Sequence, residues 1–553
     1  MTTNDMGTND MGARALRGAL MVCGTASDVG KSRLVAGLCR ALARRGASVS
    51  PFKAQNMSLN STVTRAGHEI ARAQAFQAAA ARTEPDILMG PVLLKPMGDG
   101  VSQLVVMGRP AREVRFGATW DPAELLEAVM PALDELRRRY DVVVAEGAGG
   151  AAEVNLLSSD IANLPLARRA GLPALLVGDI EKGGVFASIF GTVALLPPEL
   201  RAQLRGFVIN KLRGYRELLA PGIAELERRL SLPCLGALPH LGPLPADEED
   251  SLALATALEA STAPGAAALD IAIVRLPHLA NFTDFAPLTL ESDVSVRYVS
   301  HPVALGHPDL VVLPGSKATV ADLSWLRVTG LDAAIRAAHL NGSSLLGVCG
   351  GYQMLGTDIF DDVESRAGHV EGLGYLEMST CFQAEKTTRW RDGRSLSGET
   401  VSGYEIHHGQ PVPQAKTAPW FWLESGQGLE AEGVPGATTG IWGTSLHGVL
   451  ENDGLRASLL QQVAWHQGKT FTPSGLSFAA AREQMIDQLA DAVEAHLDLG
   501  AIFGFAAEAR PPTARPGPYP QTSPAQTSPA ARSLPSPLCL ATMLAWASLA
   551  SGT

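Results

Sequence analysis

The sequence has no C-x-x-C pair, and its six cysteines, at positions 23, 39, 234, 349, 381 and 539, lie far apart. Scattered thiols without metal-ligand spacing exclude a recognisable zinc module and point to a reduced, cytoplasmic compartment. Basic blocks are missing as well. The formal net charge is −11, which excludes a general nucleic-acid binder. Aromatics are scarce at 5%, whereas hydrophobic residues make up 46% and charged residues 18%, the balance of a soluble α/β protein. The last apolar stretch, "LCLATMLAWASLA", falls short of the roughly 20 residues a membrane-spanning helix needs, so no membrane attachment is expected. The start repeats TNDMG at 3–7 and 8–12 and lacks the basic-then-apolar order of a signal peptide. Residues 1–17 read as a disordered start.

What is present is alternation. From Ala19 to about Pro245, short apolar runs ("ALMVCGT", "DVVVAEGAGG", "PALLVGDI", "LRGFVINK") end in Gly, Asp or Asn and are separated by helix-like stretches. That pattern predicts a parallel sheet with ligands at the C-terminal ends of its strands. Residues 246–268 turn acidic and then rich in Ala, Ser, Pro and Gly, as an interdomain linker does. A second series runs from "LDIAIVRLPH" through "PDLVVLPGSKAT" and "SLLGVCGG" to "GIWGTSLHGV". The expected fold is therefore α/β with two domains, 18–245 and 269–470, each a mostly parallel sheet flanked by helices. Residues 471–508 form a helical appendage with apolar residues at helical spacing, and 509–553 a disordered Pro/Ser/Ala-rich tail.

The stretch "GTASDVGKS", Gly24 to Ser32, stands between an apolar run and the helix-like "RLVAGLCRALARRG". A glycine-rich turn there offers backbone N–H groups and a helix N-terminus to phosphate oxygens. Gly24, Thr25 and Gly30 would shape the cradle, Lys31 would meet the outer phosphates, and the Ser32 hydroxyl would ligate Mg²⁺. Five residues rather than four separate Gly24 from Gly30, a departure from the general phosphate-loop pattern that matches the dethiobiotin synthetase variant. Glu146 ends a buried-type strand where a carboxylate reaches the metal of a bound nucleotide. Lys53 follows another short strand and would neutralise phosphate or a substrate carboxylate. Asn210, with Asp179 and Lys211, lies at strand ends on the same rim.

In "GVCGGYQML" an apolar run ends at Cys349, with Gly350 and Gly351 directly behind it. A strand, a sharp bend with small neighbours and then a helix expose a nucleophile at the edge of an α/β sheet. A thiol needs a base or a cationic neighbour to become a thiolate at neutral pH. His447 in "GTSLHGVL" is the leading partner; His407 and His408 in "GYEIHHG" are alternatives.

In chain order, "GTASDVGKS", "FKAQNMSLNS", "PVLLKP", "EGAGG", "DIEKGGVFAS", "VRLPHLANFTDF", "LVVLPGSKATVADL", "GVCGGYQMLG", "GYEIHHG" and "GTSLHGVLENDG" resemble the cobyric acid synthase family over about residues 18–500. The resemblance implies a P-loop NTPase-like synthetase domain similar to dethiobiotin synthetase, joined to a class I glutamine amidotransferase domain of the cobyrinate type. It implies ATP- and glutamine-dependent amidation of the b, d, e and g carboxylates of adenosylcobyrinic acid a,c-diamide, a corrinoid substrate, with Mg²⁺ and no tightly bound prosthetic group. It makes Cys349 the glutaminase nucleophile and His447 its base. Many class I amidotransferases carry a glutamate two residues after this histidine, where Val449 stands here. A Cys–His pair without a third carboxylate is therefore expected, Glu451 being a weak substitute. Gly90, the Glu181–Lys182 pair and Tyr215 also depart from the family pattern. The competing readings are the related enzyme that amidates the a and c carboxylates, and a partition-type nucleotide switch with a degenerate amidotransferase module. An NAD module is excluded because no G-x-G-x-x-G opens a helix after the first strand.

Overall fold

The apolar run at Gly18–Gly24 becomes β1, and its alternating side chains serve two cores. Ala19, Met21 and Cys23 face one hydrophobic cluster, Leu20 and Val22 the other. This two-sided burial is what a parallel sheet covered on both faces requires. The computed structural model describes residues 16–98, 100–115, 122–242, 268–413, 418–436 and 438–509. Most of the expected disordered start, all but the last residue of the expected linker and nearly all of the expected tail lie outside the described residues.

Five further strands join β1: β2 (Val49–Lys53), β3 (Val142–Glu146), β4 (Ala174–Asp179), β5 (Leu204–Leu212) and β6 (Cys234–Pro239). They pair in the order β6-β5-β4-β1-β3-β2, all parallel. The glycine-rich turn therefore emerges at the C-terminal edge of a central strand, next to the ends of β3 and β4. That is where an open α/β sheet binds ligands. A small sheet of Gln55–Met57, Val92–Gly98, Val101–Val106 and Arg109–Arg115 projects from this unit.

The second parallel sheet contains β7 (Leu269–Val274), β8 (Val294–Val299), β9 (Leu310–Leu313), β10 (Ser344–Val348) and β11 (Ile441–Thr444). Its order is β8-β7-β9-β10-β11. Beside it stands an antiparallel sheet built around the paired strands Met378–Ser395 and Thr400–Pro413, an element the alternating pattern does not announce.

The helix Phe478–His496 packs on the first unit, against the helix Lys31–Arg44. A Cβ at Gly37 would stand 2.9 Å from the Leu489 carbonyl oxygen, so glycine permits the two helices to approach this closely. Ile486, Leu489 and Val493 fill the second core, each worth about 1.5–3 kcal/mol of burial. Arg40, almost fully buried, bonds Glu483 at 2.8 Å and Asp487 at 3.2 Å, so its charge is compensated where solvent is excluded. Among the described residues no helix is long and apolar enough to cross a membrane. Cys23, Cys39, Cys234 and Cys349 are free thiols.

Candidate active site

The turn after β1 closes through its backbone. Thr25 N donates to the Val177 carbonyl at 2.9 Å, and Gly30 takes φ 92° at the start of the helix Lys31–Arg44, a left-handed conformation that side chains disfavour. A Cβ at Gly30 would stand 2.1 Å from Asn210 Nδ2. That amide donates to Val29 O at 2.8 Å, so Asn210 braces the turn from β5. Gly24 is equally constrained, since a Cβ there would meet Val29 Cγ2 at 2.7 Å. Lys31 Nζ lies across the turn, donating to Ala26 O and Gly149 O at 2.9 Å each.

Adjacent strands then place two charges side by side. Lys53 and Glu146 are register partners on β2 and β3, and Lys53 Nζ lies 3.0 Å from Glu146 Oε1. The same oxygen accepts from Ser32 Oγ at 2.8 Å, and Gln77 Nε2 donates to the other carboxylate oxygen. Glu146 is 1% exposed, and these donors satisfy the oxygens of a carboxylate buried at that depth. Asp179 and Lys211 pair with each other at 2.8 Å.

At the second sheet, the chain leaves β10 and bends at Cys349, whose φ of 49° and ψ of −109° are strained for a non-glycine residue. The bend is held by Cys349 N donating to Thr444 O at 2.7 Å. A Cβ at Gly351 would lie 1.9 Å from the Leu313 carbonyl oxygen, and one at Gly347 would lie 2.7 Å from Tyr352 Cα. The glycines around the cysteine are thus required by close backbone approach. Three residues beyond β11, His447 presents Nδ1 to Asp284 Oδ2 at 2.7 Å, and Gly448 N donates to Asp284 Oδ1 at 3.0 Å. Tyr404 stacks on the imidazole with ring centroids 5.4 Å apart. Burial opposes charge on His447, but the Asp284 carboxylate and the Cys349 sulfur outweigh it and raise the pKa to about 10. Cys23 and Cys39, by contrast, are pushed well up by burial, as inert structural thiols are.

Cys349 and His447 face one shared cavity, whose wall includes Lys317, Lys386 and His408 from the second unit and Lys95 from the first. Lys95 reaches Glu69 at 2.6 Å, and Glu69 also takes Lys386 at 2.7 Å. Burial, reinforced by repulsion from Lys386 and Lys317, lowers Lys95 to about 8 against the pull of Glu69. The thiol cavity is therefore composite.

The structure thus gathers Gly24, Thr25, Gly30, Lys31, Ser32, Lys53, Glu146 and Asn210 at one strand edge, and Cys349 with His447 at the other. His407 and His408 line the cavity too, but His408 Nδ1 is 3.0 Å from Gln383 O and His407 lies 3.5 Å from Glu405. Only His447 combines a short carboxylate bond with the cysteine. The expectation of a Cys–His pair without a third carboxylate is overturned: Asp284 supplies it, from "NFTDF" on the 3₁₀ helix Phe282–Leu290 after β7. Glu451 is not a substitute, because it pairs with Arg72. The signal for Asp284 was the acid inside a motif already singled out, but nothing local ties it to a histidine 163 residues away. Gln77 was also missed. Of the departures noted in the sequence, Glu181 pairs with Arg213 at 2.7 Å, and Tyr215 is exposed.

Residues 20–258 match the family described as the CobQ/CobB/MinD/ParA nucleotide binding domain, and residues 270–455 match the CobB/CobQ-like glutamine amidotransferase domain. The cobyric acid synthase of Frankia casuarinae is 46% identical over 520 residues, covering 90% of this chain and 98% of the relative. Those of Nocardia farcinica and Mycobacterium tuberculosis are each 48% identical, covering 88% and 89% of this chain and 96% and 98% of the relatives. A solved glutamine amidotransferase structure is 18% identical and covers 35% of this chain and 98% of its own, but its TM-score of 0.28 carries no structural argument. Two-domain identity at this level, over nearly the whole length of the relatives, shows that the chain belongs to the cobyric acid synthase family.

Proposed function

We propose that the protein is a cytoplasmic, glutamine-hydrolysing amide ligase that converts adenosylcobyrinic acid a,c-diamide to adenosylcobyric acid by amidating the b, d, e and g carboxylates, using one ATP and one glutamine per amide. Residues 18–245 act as the synthetase domain and 269–470 as the glutaminase, joined by 246–268, with 471–508 as a helical appendage. The observation that carries this reading is the contact from Asp284 to His447 beside Cys349, in a chain whose other sheet edge carries a phosphate cradle.

In the glutaminase, the Cys349 sulfur attacks the carboxamide carbon of glutamine. His447, held by Asp284, gives its proton to the departing nitrogen, so ammonia leaves and a thioester remains. Water then hydrolyses the thioester to glutamate and restores the thiol. The N–H of Gly350, directly after the nucleophile, supports the oxyanion.

In the synthetase, a carboxylate oxygen of the corrinoid attacks the γ-phosphorus of ATP, giving ADP and an acyl phosphate. Ammonia then displaces phosphate and forms the amide. Lys31 and the backbone from Gly24 to Gly30 hold the phosphates, and Lys53 neutralises charge beside Glu146. Ser32 Oγ and Glu146 Oε1, 2.8 Å apart, are a hard-oxygen pair that suits Mg²⁺, an ion that keeps most of its shell as water and phosphate oxygens. When bound there it would screen the phosphate charge.

The test is to incubate the protein with the a,c-diamide, ATP, Mg²⁺ and glutamine and to count the amides added by mass. Four additions are expected. No addition to the a,c-diamide, with two additions to cobyrinic acid supplied in its place, would overturn this reading in favour of the related enzyme.

A further inference from the structure

One helix of nine residues, Arg72–Ala80, has an end in each site. At its N-terminal end, the Arg72 guanidinium pairs with Glu451 and approaches the Tyr404 hydroxyl at 3.5 Å. Both partners bear on the base. Glu451 lies in the turn that follows His447, its N–H bonded to Gly448 O at 3.0 Å, and Gly448 in turn donates to Asp284. Tyr404 stacks on His447 and exchanges backbone hydrogen bonds with it at 3.2 and 2.9 Å.

Five residues further along, about 7.5 Å at the rise of an α-helix, Gln77 donates to Glu146 and points to Ser32 O at 3.4 Å. Its own Oε1 is buried and accepts no hydrogen bond, an orphaned acceptor beside the nucleotide site. Every residue from Arg72 to Ala78 is buried, so the helix moves with its packing. The neighbouring short strand Ser61–Val63 makes a second tie: Ser61 N donates to Asn281 Oδ1 at 2.9 Å, three residues before Asp284.

We propose that Arg72, a first-domain residue, is a positioning residue for the second-domain thiol site, and that the helix Arg72–Ala80 carries the state of Glu146 to His447. This rests on the nucleotide and glutaminase roles proposed above. A cation drawn to Ser32 and Glu146 competes with the Gln77 amide for the carboxylate that Gln77 holds. Any resulting shift of the helix is delivered by Arg72 to the turn behind His447. ATP thereby raises the reactivity of Cys349, so that glutamine is spent when the acceptor carboxylate can be activated.

The experiment uses the full chain. The rate of Cys349 alkylation by iodoacetamide is followed by mass spectrometry of its peptide, with and without saturating ATP and Mg²⁺, while calorimetry measures ATP binding separately. For the natural protein a rate increase of at least threefold on adding ATP is expected. In Arg72→Gln the ratio should fall to one and kcat for glutamine hydrolysis should drop with little change in KM, while the ATP Kd stays within twofold. Arg72→Lys should recover part of the ratio. ATP that binds without changing the alkylation rate, or a full ATP response in Arg72→Gln, overturns the proposal. Should Arg72→Gln fail to fold, Glu451→Gln applies the same test from the other side of the ion pair. Absence of ATP binding is seen by calorimetry alone and overturns the nucleotide reading, and this coupling with it.

Discussion

Asp284 Oδ2 lies 2.7 Å from His447 Nδ1, across 163 residues of chain. That contact sets the charge of the imidazole next to the thiol. Asp284, on the 3₁₀ helix Phe282–Leu290 after β7, thus puts a carboxylate against the imidazole of the proposed glutaminase site.

Replacing that carboxylate should move the pH profile in a defined direction. His447 is raised from 6.5 to about 10, so its pairing stabilises the fold fully below about pH 6.5 and is lost as pH rises through about 10. In Asp284→Asn the alkaline limb of glutaminase activity should fall from near pH 10 toward 6.5. The kcat should drop at least ~100-fold. A pH–rate series on both proteins checks this, and an unmoved alkaline limb would show that Asp284 does not charge the base.

Cys349→Ala should abolish glutamine-dependent amidation while amidation from added ammonium salt continues. The two nitrogen sources are compared on the same corrinoid by mass. Loss of both in a folded variant would sink the division of labour between the sheets.

Glu146→Gln has the opposite signature. The variant keeps a side chain of similar size but removes the negative charge that faces Ser32 and Lys53. Amidation should fall at least ~100-fold with either nitrogen source, while Cys349 in the absence of ATP is still alkylated. Retained ammonium-dependent activity would remove Glu146 from the synthetase chemistry.

Gly351→Ala tests the bend. A Cβ there would lie 1.9 Å from Leu313 O, and forcing that contact costs about 1–3 kcal/mol or more. Thermal melting should show a drop of several degrees. Gly191→Ala, in a helix with nothing within 4 Å of the new Cβ, is the control and should melt unchanged or slightly higher.

Much of both sites was legible because their residues sit at strand ends. "GTASDVGKS" and "GVCGGYQML" each place chemistry directly after an apolar run, and the close contacts at Gly30 and Gly351 explain why glycine stands there. Lys53 and Glu146 could be placed on one rim, though their pairing depends on β2 and β3 being neighbours. Asp284, Gln77 and Arg72 were not legible. Each acts through a partner that the chain's folding, not its local pattern, brings near. The antiparallel sheet that carries Tyr404 was likewise hidden, since alternating α/β runs say nothing about an inserted hairpin.

The sequence by itself determined two parallel α/β units, a phosphate-type turn before a helix, and a cysteine on a glycine-framed bend. Those depend on periodicity and backbone conformation, which act over a few residues. Only the tertiary structure decided that Asp284 completes the thiol site, that Lys95 of the first unit walls the second unit's cavity, and that one helix touches both centres. Such contacts join segments tens to hundreds of residues apart, and it is the pairing order of the strands and the packing between the two units that brings them together.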